Sequence, residues 1–475
     1  MLERLFRAAD RRKWTLALAI ATPVWIALMR MLLERYLSLG DVPLRRPAFP
    51  WFAHIVTFYL TMSVTLSAVL VVLGRLQWKQ AMNQVGMGLA LGCLPPIIDT
   101  LVLGRGKFAY EYAPSSFPWL LSGPNSVLPP GETTTLWLTI ALMTFAVWRA
   151  SKSVLRTFAT TVTTYALVLI FLVGIPAGSQ WLSARTAMAP SDWRNALFGV
   201  AAMFGVVTLL GQWKRVVTRV PQVLLPMLFV ALGAAQRGVF DGPATLAAVM
   251  VALLGIGFTL ANDWYDRRED EAAGRTTTLD ENAAEWLALV PLVFVAHVLA
   301  TRVELGLALV GFAVVSFAYH ADPLRLKCVF PLSYKTEGFL GGLCFFAGLV
   351  AATDQQPSTQ SLWIALLVTI GTPIALVFKD LKDVEADAQA GVKTAFVVGE
   401  KRGVSRLTLR RIAAAGLTLS LVLVSVWSGQ LALIAVALAA PTALIFVKNE
   451  TRAVIAATLL AEVLLAASVA AKLSA

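Results

Sequence analysis

The sequence predicts an all-α polytopic membrane protein: a transmembrane bundle of nine helices preceded by about six more. Three observations predict it. Only 14% of the residues are charged while 58% are hydrophobic, whereas a soluble globular chain carries about 25% charged residues. Charge-free windows long enough to cross a bilayer recur along the whole chain. Lipid leaves helices or closed barrels as the spanning options, because buried backbone groups must be paired internally, and these apolar runs have helix length.

The elements follow in order. MLERLFRAADRRKW is basic and leads into an apolar run at 14–33. That run is too long for a signal-peptide core and lacks a small-residue cleavage site, so it reads as a retained first helix. Spans at 51–74, 81–103, 132–149, 157–178 and 193–213 complete the early group. The basic stretch KRVVTRVPQ, residues 214–222, is the natural seam, which divides an accessory region, 1–213, from a second domain, 214–475. There the spans fall at 222–240, 244–262, 284–301, 303–320, 336–352, 360–379, 408–427, 429–447 and 452–471.

The three cysteines, Cys93, Cys328 and Cys344, are far apart and form no CxxC pair, which argues against a disulfide framework or a thiolate zinc site. The net charge of +12 reflects loop lysines and arginines that orient the chain, and no nucleic-acid partner is expected. In the later spans one side carries only Arg237, Arg302 and Lys472, and the other carries the remaining basic residues. The positive-inside bias therefore puts the stretch NDWYDRRED, residues 262–270, on the cytoplasmic face of a bacterial inner membrane.

That stretch closes the apolar run LAAVMVALLGIGFTLA. On a helix Asp263, Asp266 and Asp270, at i, i+3 and i+7, share a face, and Asn262 lies one turn before Asp266. KDLKDVEADAQAGVKT, residues 379–394, repeats the spacing with Asp380, Asp383 and Asp387, again at the inner end of an apolar run. Facing carboxylates resist ionising together without a counter-charge. An all-oxygen donor set of carboxylates and one amide suits Mg²⁺, which keeps waters and shares its shell with phosphate oxygens. No His–Cys cluster competes for zinc, and the spacing does not fit a calcium loop. The residues thus point to Mg²⁺ with a diphosphate.

NDxxDxxxD, a later DxxxD and the GVKT that follows it resemble the UbiA superfamily of intramembrane prenyltransferases. The resemblance covers residues 222–475, and FAYHADPLRLKC, residues 317–328, is similar to the family's Y-x-x-x-P-x-R-x-K segment. It implies that Asn262 and Asp266 with Asp383 and Asp387 hold the metals, with Asp266 and Asp383 at the catalytic centre. Asp263, Asp270 and Asp380 complete the cluster, and Tyr319, Arg325, Lys327 and Lys379 contact the diphosphate or shape its site. The family often continues its first motif with N-R-P-x-R-P. Here the chain reads EAAGRTTTLDENAAEW, and Arg275 stands in for one arginine. The second motif is nearer to lipid-quinone, tocopherol and chlorophyll-type members than to haem-modifying ones.

The resemblance implies transfer of a polyprenyl group from its diphosphate to a lipophilic, aromatic-type acceptor, with Mg²⁺ as cofactor and lipid as surroundings. Trp264, Tyr265, Tyr319, Phe345 and Phe346 are candidates to stabilise an allylic cation; no general base stands out, and His320, beside Tyr319 at a helix end, reads as structural. Cyclisation of the prenyl diphosphate and a non-enzymatic scaffold or transporter are the alternatives. In the accessory region Asp99 stands near a span end with Arg105 and Lys107 in reach, and Glu462 is an acid in mid-span of the last helix; intramembrane acids mark functional sites by default. Guiding a bulky acceptor or lipid, docking a partner membrane protein, or independent transport are the roles open to that region.

Overall fold

The computed structural model describes residues 3, 6, 15–37, 48–104, 129–186, 188–272, 279–352 and 357–474. Among the described residues there are helices and turns and no strand. They form two compact units, Met1–Trp213 with Leu289–Thr301, and Lys214–Ala288 with Arg302–Ala475.

The first unit contains α1 (Leu16–Leu37), α2 (Ala48–Gly74), α3 (Trp78–Gly88), α4 (Leu94–Leu103), α5 (Pro130–Ser151), α6 (Val154–Leu169), α7 (Ile175–Thr186) and α8 (Pro190–Leu209). A 3₁₀ turn, Leu89–Cys93, joins α3 to α4 just before Pro95 and Pro96, which lack the N–H groups a continuous helix needs. At the centre lies α2, buried along most of its length. Thr61 and Thr65 each donate to the carbonyl one turn back, and Thr61 also reaches the Phe198 carbonyl of α8 at 3.2 Å. Opposite Thr65 stands Gly205, where a Cβ would lie only 3.0 Å from the threonine methyl. Small residues let α2 and α8 approach closely, as apolar surroundings require when packing replaces the hydrophobic drive. The stretch Leu289–Thr301 belongs with this unit, and Asn195 donates to the Phe294 carbonyl at 3.1 Å.

The second unit is built from α9 (Trp213–Ala235), α10 (Gly242–Tyr265), the short α11 (Arg267–Ala272), α12 (Glu281–Thr301, as far as Ala288), α13 (Val303–His320), α14 (Leu332–Ala351), α15 (Thr359–Leu376), α16 (Val384–Ala390), α17 (Ala395–Lys401), α18 (Arg406–Ser428), α19 (Leu431–Ala443) and α20 (Glu450–Ser474). Asp241 caps α10, accepting from the Ala244 N–H at 3.1 Å, and Pro243 occupies the first turn, where no N–H is missed. Helix α14 is the axis of this unit. A Cβ at Gly348 would meet the Val230 carbonyl oxygen of α9 at 1.9 Å, and one at Gly338 would meet the Thr369 carbonyl oxygen of α15 at 2.1 Å. Glycine at these two positions lets α9 and α15 touch α14 backbone to backbone.

Eleven helices among the described residues are long and apolar enough to cross a membrane, by length and composition. That is fewer than the spans expected from hydropathy. The difference falls on α5, α8 and α14, whose first turns read PGETTT, PSDWRN and LSYKTEG, and on α19, which is only 13 residues long. All four are helices, so the expected all-α architecture stands.

Candidate active site

Both acidic motifs lie in the second unit and share one backbone design. The helix α10 stops at Tyr265, Asp266 adopts φ −90° and ψ 7°, and α11 begins at the next residue. In the second motif a 3₁₀ turn, Val377–Lys382, stops at Asp383 with φ −112° and ψ 8°, and α16 begins at the next residue. The Asp266 carbonyl accepts from the Asp270 N–H and the Asp383 carbonyl from the Asp387 N–H, both at 2.8 Å. In each motif the central acid therefore sits at a break, in the bridge region of backbone space, and the third acid rides on a short second helix. An uninterrupted acidic stripe is not what the chain builds.

The two short helices α11 and α16 pack against each other, which brings the motifs together. The loop after α13 ties them further. Lys327 forms an ion pair with Asp266, and the Cys328 carbonyl accepts from the Lys393 N–H at 3.4 Å. Arg325 lies 3.7 Å from the Asp266 carboxylate and donates to the Tyr265 carbonyl at 2.7 Å. Its backbone is left-handed, φ 36° and ψ 54°, a conformation that costs a non-glycine residue about 1 kcal/mol or more. The Tyr265 bond and the bond from its own N–H to the Ala321 carbonyl, 2.9 Å, hold it there. Burial pushes the Lys327 ammonium down to about 8, with the neighbouring Cys328 and Asp387 pulling the other way and Lys379 adding to the fall.

The remaining acids separate. Asp263 is only 2% exposed and pairs with Arg215 and, at 2.8 Å, with Arg219 of α9. Asp263 and Asp266 thus turn to different partners: Asp263 points its charge to α9 while Asp266 meets Lys327. Asp380 accepts from the Tyr334 hydroxyl, which itself accepts from the Ala395 N–H at 2.9 Å. Asp383 lies 3.8 Å from Lys382. Lys379 pairs with Glu337 of α14, and the Tyr319 hydroxyl donates to the same carboxylate. The Tyr319 ring meets His320 edge-on with centroids 4.8 Å apart. Arg275 lies outside the described residues.

Glu337 and Tyr334 were not singled out by sequence reasoning, nor were Arg215 and Arg219. A signal existed for each. Glu337 is an acid inside the Gly-rich apolar stretch TEGFLGGLCFF, and an intramembrane acid asks for a partner. Arg215 and Arg219 are spaced i, i+4, so a helix puts both on one face. Among the expected aromatics, Phe345 is fully buried against Leu232 and Leu349 and belongs to the core.

Lys379 also lines an apolar cavity of about 200 Å³ whose walls include Phe229, Phe378 and Trp427. Polar head and apolar channel therefore meet at one lysine. A second, polar cavity of about 240 Å³ lies beside Arg325, walled by Trp264, Tyr265, Glu281 and Asp322; Arg267 stacks on the Trp264 ring at 4.1 Å.

The donors can be tested for a metal. Among the described residues no three His, Cys, Asp or Glu side chains converge into a ready-made cage. Mg²⁺ does not need one, since it takes one or two carboxylates and completes its shell with water and substrate phosphate. The Asn262 amide donates to Asp266, while its carbonyl oxygen is buried with no hydrogen-bond partner. An unsatisfied oxygen beside a carboxylate fits a hard cation.

The UbiA prenyltransferase family model matches residues 223–460, just over half of the chain. The chain belongs to the UbiA prenyltransferase family. This family member is 30% identical, over 187 residues, to digeranylgeranylglyceryl phosphate synthase of Methanopyrus kandleri, a match covering 38% of this chain and 66% of that relative, slightly under two thirds of its length. It is also similar to solved UbiA homologues from Archaeoglobus fulgidus. The one bound to DMAPP and Mg²⁺ is 20% identical with a TM-score of 0.36 and covers 53% of this chain and 97% of its own. The one bound to GPP and Mg²⁺ is 17% identical with a TM-score of 0.39 and covers 54% and 98%.

Proposed function

We propose that the second unit, the core of a 214–475 catalytic domain, transfers a prenyl group from its diphosphate to a lipophilic acceptor within the membrane. The observation that carries this reading is the packing of α11 against α16, which joins two acidic motifs through a loop bearing Arg325 and Lys327. Asn262, Asp266 and Asp383, with Asp270 and Asp387 on the short helices, would hold Mg²⁺. When bound, the metal would supply positive charge to the leaving diphosphate, where such stabilisation is large in a water-poor site.

The chain's own residues do the rest. Lys327 and Arg325 face the diphosphate and neutralise it. Glu337 and Tyr319 orient the Lys379 ammonium at the mouth of the apolar cavity, so that the head of the donor is held while its tail enters between Phe229, Phe378 and Trp427. Those walls keep water from an allylic cation and offer aromatic faces to it. Asp263 holds Arg215 and Arg219 and fixes α9 to the end of α10. The acidic motifs face the cytoplasm, in line with the basic loops around them.

The test is transfer from labelled prenyl diphosphates to a panel of lipid-soluble acceptors by the full chain. Asp266→Ala and Asp383→Ala should each lower turnover at least about 100-fold while the protein still inserts. Wild-type rates in either variant would remove the metal assignment. A cyclic hydrocarbon or alcohol formed without acceptor would assign cyclisation instead. No Mg²⁺-dependent diphosphate release would leave a scaffold.

A further inference from the structure

The first unit contains a half-open cavity of about 550 Å³, within the range of small-molecule sites. Its two ends differ. At one end the Arg30 side chain donates to Glu34 at 2.8 Å, to the Tyr59 hydroxyl at 2.9 Å and to Glu132. Tyr59 in turn donates to the Gly92 carbonyl at 3.1 Å. Farther along the helices the lining is mostly apolar, with Leu66 and Leu70 of α2 and Met143 and Ala146 of α5, and it includes Gln84 of α3. Tyr59 to Leu70 spans about 16 Å and Glu132 to Ala146 about 21 Å at 1.5 Å per residue, so the cavity is elongated along the helices.

The polar end carries excess acid. Behind Glu132 the Asp99 carboxyl, 2% exposed, accepts from the Gly131 N–H at 2.6 Å, and its second oxygen is buried without a partner. A Cβ at Gly131 would meet the Pro95 carbonyl oxygen at 2.3 Å, so glycine is what admits that contact. The partner expected for Asp99, Arg105, lies outside the described residues. One guanidinium thus serves two carboxyl groups, with the Asp99 carboxyl a third acid behind them, all in an apolar bundle where a charged side chain is costly and marks a functional position. An anionic head group would be repelled there, whereas a hydrogen-bond donor meets acceptor oxygens.

We propose that the first unit binds an elongated lipophile in this cavity. The polar end of the ligand donates hydrogen bonds to the Glu132 and Tyr59 oxygens and carries no negative charge, as in a long-chain alcohol, phenol or amine. This site differs in kind from the second unit's, whose lysines and arginine face a diphosphate, and it stands independently of the function proposed there.

The full chain in phosphatidylcholine nanodiscs would be photolabelled with diazirine-bearing hexadecanol, hexadecylamine and hexadecyl phosphate, and the labelled peptides mapped. Saturable labelling of α2 and α5 by the alcohol or the amine, at least about tenfold better than by the phosphate, supports the proposal; the preferred one tells a neutral donor from a cation. Equal labelling by all three, preference for the phosphate, or no saturable labelling overturns it. Glu132→Gln keeps the side-chain shape and should narrow the preference over phosphate at least about threefold. Ala146→Trp fills the apolar end and should lower alcohol labelling at least about tenfold. Labelling unchanged in both folded variants also overturns it. If the tryptophan variant is not monodisperse, the wild-type comparison and Glu132→Gln still decide.

Discussion

Replacing Asp263 by asparagine separates a structural acid from a metal ligand. Asp263 is 2% exposed and answers two guanidinium groups, Arg215 and Arg219. Removing one partner of a buried ion pair costs about 3–5 kcal/mol, because the other charge stays buried and unpaired. Here the arginine side chains are 27% and 32% exposed, so water takes up part of their charge, and asparagine keeps one acceptor oxygen. About 2 kcal/mol of destabilisation remains, which raises the unfolded fraction roughly thirtyfold. The assay is denaturation of the full chain in mixed micelles, followed by tryptophan fluorescence, with the Mg²⁺ concentration for half-maximal transfer measured in parallel. The expected result is lower stability with an unchanged Mg²⁺ requirement. Unchanged stability, within about 0.5 kcal/mol, together with a tenfold higher Mg²⁺ requirement would refute the reasoning and return Asp263 to the metal.

Lys327→Ala should raise the half-saturating prenyl diphosphate concentration about tenfold, the worth of one charge-assisted hydrogen bond, and initial rates against donor concentration check it. Glu337→Gln removes the charge that Lys379 and Tyr319 share and should slow transfer about tenfold, with monodispersity by size-exclusion chromatography as the control. Cys328 is half-buried in a loop beside Lys327, Cys93 is half-buried within the candidate span Trp78–Leu103, and Cys344 is buried. On the orientation proposed above, a membrane-impermeant maleimide should label Cys328 from the side that bears the basic loops and not from the other, and Cys328→Ser should abolish that label.

The parts of this chain legible from sequence are those set by local chemistry. Apolar run lengths give the helices, and paired acids at span ends mark the two motifs whose short helices α11 and α16 meet in the candidate site. What spacing misjudges is the backbone between the acids. The i, i+3, i+7 argument assumes one continuous helix through each motif, and both motifs break at their central residue, Asp266 and Asp383. Asp263, one turn before the break, pairs with Arg215 and Arg219 of α9, while Asp266 at the break meets Lys327. The residues that hold the site also escape spacing, because they come from another helix: Glu337 is 42 positions from Lys379, and Tyr334 is 46 from Asp380.

The break itself has a physical rationale. A long helix delivers its last acid along a face packed against neighbours, where an arginine can claim it, as Arg215 and Arg219 claim Asp263. A bridge-region residue at the end of the helix redirects the chain, so that α11 and α16 can turn and pack on each other. Two such breaks, one in each motif, precede the two short helices that meet. It follows that restoring helical continuity at Asp266 or Asp383 should disperse the site even where the carboxylate is kept.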